Sequence, residues 1–232
     1  MNEVEKIRKE LRKKAHPEKV EFYKRTSATW LEVIGVTAPE SRAIAKRYKD
    51  MNIYEVYKLF DELYETNIHE DRIIAIHILQ QYHKKFSVET WKFLRERIPK
   101  FDTWDQVDYL ATDVMARILL DNMHLLSEVK DMANSKNFWE RRIAIESTAK
   151  LIRKNKIEPT LLLAEKLVYD DNHYVQKGAG WMLREVGKKD RFALREFILR
   201  HLDMKPIAFS YATEKMPELR KIRKEKINSK KI

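Results

Sequence analysis

Five side chains in this sequence could do chemistry together if the chain repeats as its pattern suggests: Trp104, Asp108, Arg142, Lys177 and Trp181. Trp104 lies four residues before Asp108, and Trp181 four residues after Lys177. On a helix each pair then shares one face. A stack of repeats would bring Asp108, Arg142 and Lys177 side by side, giving one surface with a carboxylate, two cations and two indoles. The two cations of such a set suit a polyanionic partner. Plainer readings of the same residues stay open. Arg142 can equally pair with Glu146 at i,i+4, and Asp105 reads as a helix-terminal residue offsetting the macrodipole. Trp30, Trp91 and Trp139 read as core or interface positions.

The elements that must carry these residues are helices. Apolar residues recur at three and four positions along most of the 232 residues, punctuated by Pro17, Pro39, Asn67, Ser87, Thr103, Asn137, Pro159 and Asn172. Helices are expected over Trp104 to Leu120, Phe138 to Asn155 and His173 to Gly187, among others. Arg72-Ile73-Ile74-Ala75-Ile76 aligns with Arg141-Arg142-Ile143-Ala144-Ile145, and Ala144 aligns with Ala179. The implied period is about 34 to 35 residues, that of a two-helix solenoid unit. The expected fold class is all-α, a curved solenoid of antiparallel helix pairs. One domain is expected over 1–220, followed by a basic, disordered tail over 221–232.

Composition narrows the chemistry. There are 47 Lys and Arg against 36 Asp and Glu, a formal net charge of +11, which favours a polyanion through counterion release. With no cysteine and only four glycines, thiolate metal sites, disulfides and glycine-rich phosphate loops are excluded. The seven histidines contain no i,i+4 pair, so no helix-borne zinc site is expected, and they read as single surface or half-buried residues. No apolar run approaches the roughly 18 residues needed to span a bilayer. A cytoplasmic protein is expected.

Four segments in order carry a family resemblance: Gly35-Val36-Thr37-Ala38-Pro39-Glu40-Ser41-Arg42, Thr103-Trp104-Asp105-Gln106-Val107-Asp108, Phe138-Trp139-Glu140-Arg141-Arg142-Ile143-Ala144, and Gln176-Lys177-Gly178-Ala179-Gly180-Trp181-Met182-Leu183-Arg184-Glu185. By these the chain resembles the AlkD-like DNA alkylation-repair family of HEAT-like repeat glycosylases. The resemblance implies a monofunctional DNA glycosylase, a hydrolase of the N-glycosidic bond of cationic N3- and N7-alkylated purines in duplex DNA. Trp104, Asp108 and Trp181 then match the residues around the lesion. Arg142 matches a phosphate contact, to which we add Arg141, Lys177, Lys24 and Arg25 as expected DNA contacts. The expected partner is double-stranded DNA with alkylated bases, met by a nucleoid-associated monomer with no metal and no cofactor. Where family members often carry an aromatic and a basic residue, this chain has Thr26 and Ala28. The alternative is a non-catalytic repeat protein that binds distorted or branched DNA.

Overall fold

The computed structural model describes residues 2–27 and 29–229, the side chains of 226–229 excepted. Among them there is no strand, only an isolated bridge between Glu32 and Ile68, so the expected all-α class holds. The described residues form two compact units, one within 1–114 and one within 115–232.

The first unit contains helices α1 (Glu3–Arg12), α2 (Pro17–Ser27), α3 (Ala38–Ala45), α4 (Ile53–Tyr64), α5 (His69–Gln80), α6 (Val88–Arg95) and α7 (Trp104–Tyr109). Its centre is α5, buried from His69 to Leu79 and packed against α1, α3, α4 and α7. The loop between α2 and α3 is pinned from α5: the Glu70 carboxylate accepts the backbone N–H groups of Ile34 (2.9 Å), Gly35 (2.7 Å) and Val36 (3.2 Å). Gly35 adopts φ +91° there, a left-handed conformation that costs glycine little.

The second unit contains α8 (Ala116–Asp121), α9 (Leu126–Met132), α10 (Phe138–Glu146), α11 (Ala149–Arg153), α12 (Glu158–Leu167), α13 (His173–Lys189), α14 (Arg191–Arg200), α15 (Pro206–Ala212) and α16 (Pro217–Ser229). Here α13 is central, packed against α10, α11, α12, α14 and α15. The segment read as a disordered tail from 221 is helical through Ser229. Pro217 and Glu218 supply helix-start signals, and Arg223 donates to the Met204 carbonyl at 2.7 Å with its guanidinium 4.2 Å from the Phe209 ring. Residues 230–232 lie outside the described residues.

Of the expected helices, one runs through with a π-helical stretch and another is interrupted, each for a local reason. Between α7 and α8, residues Leu110–Met115 form a π-helix. The Asp108 carbonyl accepts the Thr112 hydroxyl at 2.7 Å and the Tyr109 carbonyl accepts Gln80 Nε2 at 3.2 Å, so side chains compete for ladder acceptors. Between α10 and α11, Ser147 and Thr148 bond back to the carbonyls of Ala144 (2.9 Å) and Ile145 (2.6 Å), which breaks the turn in the same way.

The repeat read from the aligned Arg72 and Arg141 reappears as a contact. Arg72 Nη1 reaches Asp102 Oδ2 at 3.1 Å, ahead of α7. Arg141 makes a two-pronged pair with Asp170, Nε to Oδ2 at 2.6 Å and Nη2 to Oδ1 at 2.9 Å, ahead of α13. In each unit an arginine of one helix fixes the entry to a later helix, α7 in the first and α13 in the second.

Candidate active site

Helix α7 carries two of the expected site residues, Trp104 and Asp108. Thr103 is extended (φ −130°, ψ 150°) and makes no side-chain cap; its hydroxyl donates instead to Asp105 Oδ1 at 2.5 Å. Trp104, the first helical residue, donates its indole Nε1 hydrogen to the backbone carbonyl of Thr26 at 2.8 Å, joining α7 to the end of α2. Asp108 follows one turn later on the same helix, half-buried.

Between these two, Asp105 gathers donors from three elements. Its Oδ1 also accepts the Gln106 N–H at 3.0 Å, and its Oδ2 lies 3.2 Å from Ser27 Oγ on α2 and 3.1 Å from His69 Nε2, the first residue of α5. Burial opposes the charged forms of both His69 and Asp105. Their mutual hydrogen bond and attraction outweigh it, with Thr103 and Gln106 assisting, so His69 stands above its ordinary value and Asp105 below. Asp105 was expected to be only helix-terminal; in the structure it also ties α7 to its neighbours.

Beside Trp104 lies a cavity of about 240 Å³. Its walls include the rings of Phe22, Tyr23, Trp104 and Tyr109, and its polar lining comes from Thr26, Ser27, His69, Glu70 and Asp105. Burial, followed by the charges of Glu70, Glu40 and Asp105, raises Tyr23 above its ordinary value, so it is a neutral phenol at physiological pH. The arrangement is an aromatic recess with two carboxylates in a protein of net charge +11. It offers faces for a flat or cationic group, and its cationic lining residue, His69, is paired with Asp105. Among the described residues no group of His, Asp and Glu is arranged to hold a metal ion, and no helix is long and apolar enough to cross a membrane.

The second unit places the other expected residues differently. Arg142 is 5% exposed; its Nε pairs with Glu146 Oε1 at 2.8 Å and its Nη1 donates to the Tyr174 carbonyl. Arg142 thus makes the i,i+4 pair that was the alternative to a phosphate contact, in a buried form. Gly178 permits this close approach, since a Cβ there would stand 2.9 Å from Glu146 Oε1 and 3.2 Å from Arg142 Cγ. Arg141 is likewise committed, to Asp170 and to the carbonyls of Ser135 (2.8 Å) and Lys136 (3.1 Å). Lys177 and Trp181 are half-exposed on α13, with Lys177 Nζ 5.6 Å from the Tyr174 ring centroid. In the first unit Lys24 and Arg25 are exposed on α2, Lys24 3.6 Å from Glu21.

Trp91 and Trp139 lie in the core as expected, whereas Trp30 is 67% exposed, its ring 5.7 Å from the Arg72 guanidinium carbon. His69 and His77 are buried, not surface or half-buried as expected. Sequence reasoning missed His69 and Tyr109 at the cavity; the available signal was only that His69 and Asp105 each stand at a helix start. Thr26 contributes its carbonyl, and Ala28 lies outside the described residues.

Comparison with known proteins places this geometry in a family. The family described as DNA alkylation repair enzyme matches residues 7–216. A comparison with curated proteins found no match. Among solved structures, a predicted DNA alkylation repair enzyme from Enterococcus faecalis is similar at TM-score 0.75 and 21% identity, over 88% of this chain and 97% of that one. AlkD2 from Streptococcus mutans is similar at TM-score 0.61 and 21% identity, over 84% of this chain and 96% of that one. At this identity the two structures speak for the fold, and the match over 7–216 speaks for the family. The chain belongs to the DNA alkylation repair enzyme family.

Proposed function

We propose that this protein is a monofunctional DNA glycosylase that hydrolyses the N-glycosidic bond of cationic N3- and N7-alkylated purines in duplex DNA. The observation that carries the reading is the pairing of Trp104 and Asp108 one turn apart on α7, with Trp104 clamped to α2 beside an acidic, aromatic recess. An alkylated purine leaves as a neutral base, so its departure needs no general acid, and the deoxyribose left behind gains oxocarbenium character. A fixed carboxylate at Asp108 stabilises that charge and orients the attacking water, as one carboxylate does in glycoside hydrolysis. The indole face of Trp104 adds cation–π attraction, a role that the family resemblance also gives to Trp181. Lys24, Arg25 and Lys177 serve as phosphate contacts, while Arg141 and Arg142 hold the second unit together. The protein works as a monomeric HEAT-like repeat protein on chromosomal DNA in the cytoplasm.

The test is release of 3-methyladenine and 7-methylguanine from alkylated duplex DNA by the purified protein. Release that leaves unbroken abasic strands supports the reading. No release together with intact duplex affinity favours a non-catalytic DNA-binding protein of the same fold.

A further inference from the structure

We propose that Asp105 and His69 are a positioning pair for the excision step: together they hold the six-residue helix α7, and with it Trp104 and Asp108, against α2 and α5. The inference rests on the glycosylase reading for its kinetic consequence, but its structural content stands apart from it.

A helix of six residues has little stability of its own, since isolated helices shorter than about 12 residues are marginal in water. Helix α7 runs straight on into the π-helix Leu110–Met115, an irregular continuation. Side-chain anchors help to set its position. Gln106 accepts the Tyr64 hydroxyl at 2.8 Å, Trp104 is tied to the Thr26 carbonyl, and Asp105 is tied to Ser27 and His69. A carboxylate serving only the start of α7 would end its contacts at Thr103 and Gln106. The Asp105 side chain, 15% exposed, continues to the His69 side chain, 6% exposed, where a buried partner has to be matched in charge as well as in hydrogen bonding.

Asp108 lies three residues beyond Asp105, within the same helix. Any shift of α7 therefore moves the carboxylate relative to whatever α2 and α5 help to place. Misplacement by about 1 Å can cost around a hundredfold in rate.

The surrounding charges define the pair. Asp105 from α7, Glu70 beside it on α5, and Asp102 ahead of α7 all favour protonated His69. Tyr23 on α2, Tyr64 on α4 and Tyr109 on α7 are neutral phenols within the field of Asp105. On α5, His77 is kept uncharged by burial and by Arg42 of α3. Of the two histidines of α5 near Asp105, His69 is the one whose charged form its surroundings favour.

Three variants of the full chain test the pair: His69→Ala, His69→Gln and Asp105→Asn. The readouts are single-turnover excision across pH, equilibrium duplex affinity, and the ¹⁵N–¹H resonance of the Trp104 indole. For His69→Ala we expect excision to fall by about tenfold or more while duplex affinity stays near that of the wild type. His69→Gln, which keeps an N–H donor, should restore much of the rate. It should also lack the high-pH decline that the wild type shows as His69 loses its proton. The Trp104 resonance should titrate with that decline in the wild type and not in His69→Gln, and it should be displaced in Asp105→Asn. Excision and resonance both unchanged in His69→Ala would overturn the pair, as would a wild-type resonance insensitive to pH. If the wild type excises nothing, the glycosylase reading fails by itself and the resonance alone decides: titration abolished by His69→Gln supports the pair, and its absence overturns it.

Discussion

Trp104 is anchored to the main chain of α2 and not to a side chain: its indole donates to the Thr26 carbonyl at 2.8 Å. The Thr26 hydroxyl turns back instead to the Phe22 carbonyl at 2.8 Å. The identity of residue 26 should therefore matter little and the indole N–H should matter more. Thr26→Val is expected to excise at close to the wild-type rate. Trp104→Phe, which keeps an aromatic face but loses the hydrogen bond, is expected to be slower by up to about tenfold, the scale of one hydrogen bond. Single-turnover kinetics of the two variants check this.

The same contact shows what the sequence could and could not reveal. The face shared by Trp104 and Asp108 follows from helical spacing, and the repeat of Arg72 and Arg141 is visible as an alignment of apolar and basic positions. Local periodicity is written in sequence because burial of one helix face imposes it. That Arg141 and Arg142 spend their charge inside the second unit is not visible there. Asp170 lies 29 residues from Arg141, and a basic residue near a helix start reads alike whether it meets a carboxylate or a phosphate. The i,i+4 partner Glu146 was legible as an alternative, but its burial was not. The link from Asp105 to His69 across 36 residues depends on packing, which no local pattern encodes.

Two histidines of one helix should give stability opposite slopes with pH. Burial, then the charge of Arg42, pushes His77 down to about 3, so the unfolded chain takes up a proton below its ordinary value of 6.5 while the folded chain does not. Stability from this residue is present above 6.5 and is lost as pH falls toward 3. His69 is raised, so its contribution is present below 6.5 and is lost as pH rises through its higher folded value. Thermal melts across pH should show both limbs. His77→Gln should flatten the acid limb only, and an unchanged acid limb would contradict the assignment.

Acid also reaches Glu40. Hydrogen bonds from Thr37 and then from His16 lower it from 4.5 to about 2, so its contribution is present above 4.5 and disappears as pH falls through about 2. In Glu40→Gln this lowest part of the acid limb should shrink, as read from melts between pH 4.5 and 2.

Arg142 and Lys177 should separate stability from DNA affinity. Arg142→Ala leaves Glu146 buried without its guanidinium partner and should destabilise the protein by about 3 kcal/mol, with the salt dependence of DNA binding unchanged where the protein remains folded. Lys177→Ala should leave the melt unaffected and reduce the slope of log affinity against log salt by about one. Denaturant melts and salt titrations with duplex DNA distinguish the two; a reduced slope in Arg142→Ala would return that residue to the interface.

The central claim is that Asp108 is the carboxylate that stabilises the developing sugar cation. Its most direct test is single-turnover release of 3-methyladenine and 7-methylguanine from alkylated duplex DNA by the wild type and by Asp108→Asn, with duplex affinity measured alongside. The account predicts release by the wild type and a loss of about a hundredfold or more in Asp108→Asn, with affinity retained or slightly tightened because a negative charge near the phosphates is gone. Equal rates in the two proteins, or no release by a wild type that binds duplex DNA, would contradict it.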